Sequence, residues 1–437
     1  DRIRPTIPMK RSGTAEEVAA GVVWLLSDAA SYTTGTTLAV SGAHLLASGA
    51  PARLWDGRSG QPLAALQGPF DGAYAVSLSA DGRRAATANI DNTLQIWEVP
   101  SGRLLTALAS PPTEASPLIE TDVSLPGRDG PIRARLYQRA DAPRAPGLVV
   151  AHGVHYRGID ERRLVPFARE LARAGRVVLT PELRDLTDYR ITSQGERIIA
   201  DSVRWLSARR DVVTEERVGL LGFSFAGGLS LVAASRAELA GKLAYVTSVG
   251  GHHDLPRVLR FLVSNRIETP TGPSELTAHE YGLVVVAYGN IEHFVEPADQ
   301  VTLRDALRHW LHEDRPAAIA RASQRTTASG ERLFRLVESG NLRELGPDLL
   351  RLLDSKKVQL GELSPAGRLD QIDAPVYLLH GSGDSVIPPS EAEWADRELN
   401  GAPHQALVSP LLEHVEVDHE GGLAQRLALV DLMAKML

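Results

Sequence analysis

The chain has 437 residues, 43% hydrophobic and 23% charged, with a formal net charge of −7. Its surface therefore has no electrostatic draw toward nucleic acid or anionic membranes, and no apolar run approaches the ~18–20 residues of a bilayer span. There is no cysteine, which excludes disulfides, thiolate metal sites and a cysteine nucleophile together. At roughly 100–200 residues per domain, the length predicts two or three domains, or one large one with appendages. No basic-then-apolar leader opens the chain, which starts at Asp1; the expectation is a cytoplasmic protein.

Residues 1–43 form the first stretch. Thr14-Ala15-Glu16-Glu17 reads as a helix start, a hydroxyl cap followed by first-turn carboxylates. The apolar run from Val18 to Leu26 follows, and Thr36 to Ser41 reads as a short strand. The run PMKRSGTAEEVAAGVVWLLSDAASYTTGTTLAVSG resembles the last helix and strand of short-chain dehydrogenases. The glycine-rich phosphate turn and the Tyr-x-x-x-Lys of that family are absent from the chain. Hydride transfer does not carry over, and the segment reads as a structural remnant.

Residues 44–110 contain an internal repeat. Trp55 and Trp97 are 42 residues apart, and Ser59-Gly60 with Ser101-Gly102, Leu63 with Leu105, and Leu66 with Leu108 keep that offset. A period of ~40–45 around RLWD and LQIWE resembles WD40 propeller blades, about one and a half of them. A propeller closes with at least ~4 blades, so unpaired edges are expected to pack or to pair with another copy. The region reads as a stabilising or dimerising appendage, and a homodimer through the N-terminal region, the first ~110 residues, is the expectation. Residues 111–117, rich in Pro, Ser and Thr, read as a linker.

From residue 118 to 437 the rhythm changes. GLVVAH (147–152), RVVLTP (176–181), RVGLLGF (217–223), LAYVTSVGG (243–251), PVYLLHG (375–381) and QALVSP (405–410) read as buried parallel strands. Helical segments at Glu161–Ala174, Gln194–Ala208 and Ala226–Leu239 lie between them. The predicted fold is α/β, a mostly parallel sheet with helices on both faces. From about 255 to 370 the pattern turns helical, with apolar residues spaced by three and four. This predicts a helical cap insertion.

Gly222-Phe223-Ser224-Phe225-Ala226-Gly227 follows a strand and opens a helix, the context of a nucleophile elbow. Such a turn needs small neighbours, supplied by Gly222 and by Ala226, where glycine is usual. Asp384 lies just past a strand in HGSGDSVIPP, and His414 follows 30 residues later in VSPLLEHVEVDH, past another strand. Serine is a weak nucleophile until a base takes its proton. A neutral imidazole does that, and a carboxylate fixes the imidazole tautomer. His419, between Asp418 and Glu420, is the competing base and reads as the cap of the final helix. The oxyanion donors are expected to be the backbone N–H of Phe225 and, from the loop after the first buried strand, that of Val154. Gly153 lets that loop approach. His152, Tyr281 and Tyr288 are further pocket candidates, though packing explains each of them as well.

With the order Ser224, Asp384, His414 in place, the region from about Ser116 to Leu437 resembles serine-dependent α/β-hydrolases of the esterase and dienelactone-hydrolase-like kind. The resemblance implies hydrolysis of a small-molecule ester through an acyl-enzyme, without a cofactor. The pairs His252-His253 and His279-Glu280 hint at a metal, but His279 has no second histidine four residues on, so the zinc pattern H-E-x-x-H fails and no metal is expected. Two other readings stay open: a peptidase or amidase on the same triad, and a non-catalytic interaction protein working through the blade-like region.

Overall fold

The computed structural model describes residues 117–399 and 401–410, together with 52–55, 62–66, 73–78, 83–89, 94–99, 101–108, 412–413 and 416–417. The dehydrogenase-like segment 1–43 and most of the linker lie outside the described residues. The chain divides into two units at 115/116.

In the first unit, β1 (Ala52–Trp55) and β2 (Pro62–Leu66) pair antiparallel. β3 (Ala73–Leu78), β4 (Arg84–Asn89), β5 (Leu94–Glu98) and β6 (Arg103–Leu108) form an antiparallel meander. Trp97, one member of the repeated tryptophan pair, is 2% exposed on β5. Ser101 and Arg103 both bond the Glu98 carboxylate across the β5–β6 turn, at 2.8 and 3.1 Å.

The second unit is built on an eight-stranded sheet. Its strands are β7 (Leu118–Leu125), β8 (Ile132–Arg139), β9 (Gly147–Ala151), β10 (Val177–Pro181), β11 (Val218–Phe223), β12 (Leu243–Val249), β15 (Val376–Gly381) and β16 (His404–Ser409). Across the sheet they run β7-β8-β10-β9-β11-β12-β15-β16. β7 and β8 are antiparallel, β8 meets β10 antiparallel, and every later pairing is parallel. The sequence explains the arrangement. Every residue of β9 and β10 is buried, as a strand covered on both faces requires, whereas β7 at the edge is mostly exposed.

Helices cover both faces. α1 (Leu164–Arg173) buries Leu164, Ala168, Leu171 and Ala172, one stripe at helical spacing. α2 (Ser193–Ala208) starts at Thr192, whose side chain accepts from Gln194 N–H. α3 (Phe225–Ala234) is apolar all round and wholly buried. This is the α/β-hydrolase fold, with the mixed, mostly parallel sheet that the alternating strand and helix pattern predicts.

The topology places the site. After β9 the chain crosses to β10 on one side, then returns past β9 to place β11 on the other. The switch point therefore lies between β9 and β11, and the loops that leave the carboxyl ends of these two strands stand where an open α/β sheet places its ligand site.

Between β12 and β15 lies the insertion: α4 (Leu255–Ser264), α5 (Glu280–Gly289), α6 (Pro297–Leu311), α7 (Arg315–Ala322), α8 (Ala328–Ser339), α9 (Gly346–Ser355) and α10 (Lys357–Glu362). The sequence pattern reads this span as helical throughout. The structure corrects that with a hairpin, β13 (Arg266–Thr269) and β14 (Gly272–Glu275), after α4. Asn265 ends α4 in the left-handed conformation, and Thr269 and Thr271 close the hairpin turn. α11 (Ser390–Glu398) then leads to β16, and the two-residue strands β17 (Leu412–Glu413) and β18 (Glu416–Val417) follow.

Candidate active site

Ser224 sits between the last residue of β11 and the first of α3, with φ 54° and ψ −134°. For a non-glycine residue such a conformation costs of order 1–3 kcal/mol and persists only when the surroundings enforce it. They do so here. Ser224 N–H donates to the Val249 carbonyl at 2.8 Å, and the Ser224 carbonyl accepts from Gly227 N–H at 2.8 Å. A Cβ on Gly222 would lie 2.3 Å from the Ala226 carbonyl oxygen, and one on Gly227 would lie 2.6 Å from Ser248 Oγ. Ala226 is fully buried in the second small position. Ser224 itself is 6% exposed.

The β9 loop passes directly against this turn. A Cβ on Gly153 would stand 3.2 Å from Ser224 Cβ and 3.9 Å from Oγ. Close approach, not backbone conformation, is what asks for glycine there. Val154 is the next residue, so it follows directly on the loop's contact with the serine. Phe225, at the first position of α3, belongs to the turn whose N–H groups have no intrahelical acceptor.

His152 is 3% exposed and anchors this loop. Its Nε2 accepts from Leu183 N–H at 2.9 Å, so Nδ1 carries the proton and donates to the Gly153 carbonyl at 2.7 Å. With both nitrogens engaged by backbone, its side chain braces the loop and offers no polar atom to a substrate. Burial holds the ring neutral and lowers its pKa to about 4.

Asp384 is fully buried in the loop after β15. Its Oδ1 accepts from the N–H groups of Val386 and Ile387 at 2.9 and 3.0 Å. Its Oδ2 lies 3.3 Å from Nε2 of His380, whose closer partner is the Ile387 carbonyl at 2.8 Å. Burial opposes protonation of His380, but the Asp384 carboxylate and the Ile387 carbonyl outweigh it and raise its pKa. The sequence pattern places His380 in a strand and assigns it no role. The signal that could have found it is a histidine four residues before the acid at a strand end. His414 falls between β17 and β18 in the chain and His419 after β18, and both lie outside the described residues.

The insertion touches both loops. Tyr281 OH lies 3.4 Å from the Val154 carbonyl, a long contact, and His279 N–H donates to the Ser385 carbonyl beside Asp384 at 2.8 Å. Tyr288, by contrast, is buried where the insertion packs on the 184–189 segment. Its hydroxyl bonds Asp188 at 2.6 Å and accepts from Arg308 at 2.8 Å, so it serves packing rather than the site. Two ring-bearing residues escape the sequence reading, Tyr156 and His312, whose rings stack at 4.1 Å. Nothing in their local patterns marks them, since one lies in the β9 loop and the other in the insertion.

Among the described residues no group of three His, Asp or Glu side chains is arranged to hold a metal ion. The histidines that hinted at one are otherwise engaged. His252 Nε2 bonds the Leu363 carbonyl, His253 Nε2 pairs with Glu398 at 2.7 Å, and His279 caps α5 through Tyr281 N–H. No described helix is long and apolar enough to cross a membrane.

Comparison with known proteins gives different matches for the start of the chain and for most of its length. Residues 1–43 match the family described as Enoyl-(Acyl carrier protein) reductase. The uncharacterized oxidoreductase YgfF of Escherichia coli (strain K12) is 57% identical over 42 residues, 10% of this chain. The chain spans only 17% of the length of the curated relatives it matches. Among solved structures, an esterase of Pyrobaculum calidifontis is 18% identical with a TM-score of 0.39, covering 73% of this chain and 84% of its own. A putative dipeptidyl aminopeptidase IV of Bacteroides ovatus is 13% identical with a TM-score of 0.45, covering 88% and 45%.

Two outcomes follow from the geometry. Gly222→Ala forces a methyl into the Ala226 carbonyl, and denaturant unfolding should register a loss of roughly 1–3 kcal/mol; an unchanged midpoint contradicts the close packing of Gly222 on α3. His152 has a folded pKa of about 4 against an ordinary 6.5. Its neutral form therefore contributes stability that is complete above about 6.5 and is lost as pH falls through about 4. The unfolding temperature should drop across that window, and less steeply in His152→Asn. Parallel curves for the two proteins would remove His152 as the cause.

Proposed function

We propose that the chain is a serine hydrolase that cleaves carboxylic esters through an acyl-enzyme, with Ser224 as nucleophile, His414 as base and Asp384 as the acid that orients it. The observation that carries the proposal is the enforced φ of 54° at Ser224, on a strand-to-helix turn at the topological switch point, with the Gly153 loop against it.

In this reading His414 takes the Ser224 proton as Oγ bonds to the substrate carbonyl carbon. The carbonyl oxygen becomes an oxyanion, and the backbone N–H groups of Phe225 and Val154 stabilise it. His414 then delivers its proton to the departing alcohol oxygen as the C–O bond breaks. Water attacks the Ser224 ester next, its proton passing to His414 and on to Ser224 Oγ as the acid is released. Asp384 keeps the imidazole in the required tautomer and stabilises its cation. The buried carboxylate has one oxygen held by two backbone N–H groups, which supports a rigidly placed acid.

Esters are favoured as the substrate because an alcohol oxygen, protonated by His414 as it departs, is a better leaving group than an amide nitrogen. The helical insertion is read as a cap that shapes the acyl or alcohol side of the pocket and excludes water.

The direct test is turnover of p-nitrophenyl esters from acetate to decanoate, alongside matched anilides, by the wild type and by Ser224→Ala. Ester hydrolysis that falls at least about a thousandfold in Ser224→Ala is the expected result. Preferential cleavage of the anilides would move the assignment to an amidase or peptidase. Turnover that survives in Ser224→Ala would overturn the nucleophile.

A further inference from the structure

The loop that carries Val154 is braced at both ends, and at its far end by the helical insertion. At the near end, His152 Nδ1–H donates to the Gly153 carbonyl. In a trans peptide the C=O and N–H point in opposite directions. A bond that pins the Gly153 carbonyl therefore also sets the direction of Val154 N–H, the other half of the same peptide. At the far end, Tyr156 lies between two imidazoles. His155 stacks on it at 4.8 Å with 27° between planes, and His312 at 4.1 Å with 26°. Arg157 Nε donates to Tyr156 OH at 3.0 Å, and Arg157 N–H donates to His155 Nδ1 at 3.2 Å.

His312 is the residue just past α6, and its position is over-determined. Tyr189 OH donates to the Leu311 carbonyl at 2.9 Å, and the Tyr189 ring lies 5.9 Å from His312. Glu313 turns the chain immediately afterwards at φ 64°, and Tyr189 itself sits at φ 54°. Two non-glycine residues at positive φ, one next to His312 in the chain and one in ring contact with it, indicate that the fold holds the ring in place. The contacts close a circuit: Gly153 to His152, His152 to Leu183, the 183–189 segment to Leu311, and His312 back to Tyr156.

We infer that His312 is a positioning residue: its stack on Tyr156 couples the helical insertion to the loop His152–Gly158 and so fixes the direction of Val154 N–H. This rests on reading that N–H as an oxyanion donor. An insertion that only covered the site would need no stacked contact with the loop beside the nucleophile. One that sets the donor would tie the seating of the insertion to the assembly of the oxyanion site. What the role needs of His312 is a flat ring of this size. A proton or a charge is not required.

The experiment compares wild type, His312→Ala and His312→Phe at a temperature well below the unfolding midpoint of each. Two readouts are taken, ester kinetics and amide hydrogen exchange of the 153–158 segment. His312→Ala should lower kcat roughly ten- to a hundredfold with KM within about twofold, and should speed exchange across the loop. His312→Phe should restore both. The inference is overturned if His312→Ala leaves loop exchange unchanged, if kcat holds while exchange rises, or if phenylalanine behaves like alanine. Should the wild type hydrolyse no ester, the functional reading fails through that control, and loop exchange alone decides whether His312 holds the loop.

Discussion

The geometry of the site depends on one strained turn. Ser224 occupies a backbone conformation that alanine or leucine would leave at the first opportunity. It stays because β11 and α3 are both locked in the core. The strand is buried between β9 and β12, and the helix is apolar on every side. The small residues Gly222, Ala226 and Gly227 let strand and helix meet at the required angle, and their lack of bulk is used up by named contacts. The cost of order 1–3 kcal/mol is modest beside the burial of these two elements, which is why the turn persists.

From that turn the remaining chemistry is a matter of which loops the topology delivers. The strand order places β9 beside β11, so the loop carrying Gly153 and Val154 reaches the serine without any long excursion. β15 lies two strands from β11, and its loop holds a carboxylate that is buried and doubly hydrogen-bonded. The insertion, placed between β12 and β15 in the chain, contacts the loops of both β9 and β15. A single segment thus has purchase on both loops.

The fold is legible in sequence because its strands are short, β-branched and buried on both faces, and its helices carry regular apolar spacing. The elbow is legible because glycine and alanine at fixed offsets answer a steric demand that few other turns make. Asp384 can be found from its place past a strand. The hairpin at 266–275 stays hidden because Arg266-Ile267-Glu268-Thr269 is too short to show a period of two against a helical background. His152 reads as a pocket candidate, yet its role depends on Leu183, 31 residues away, which no local pattern announces. The same holds for Tyr156 and His312, whose stack joins the β9 loop to the insertion. Long-range pairings of side chains are set by tertiary packing, and a single sequence carries little trace of them.

The central claim is that Ser224 is an activated nucleophile, and covalent capture tests it most directly. A fluorophosphonate should add one equivalent to the intact protein, with the label mapped to Ser224 by peptide mass analysis. Labelling should be lost in His414→Ala and kept in His419→Ala, since the proposed base is His414. A label on another serine, no label at all, or labelling that depends on His419 instead would contradict the account.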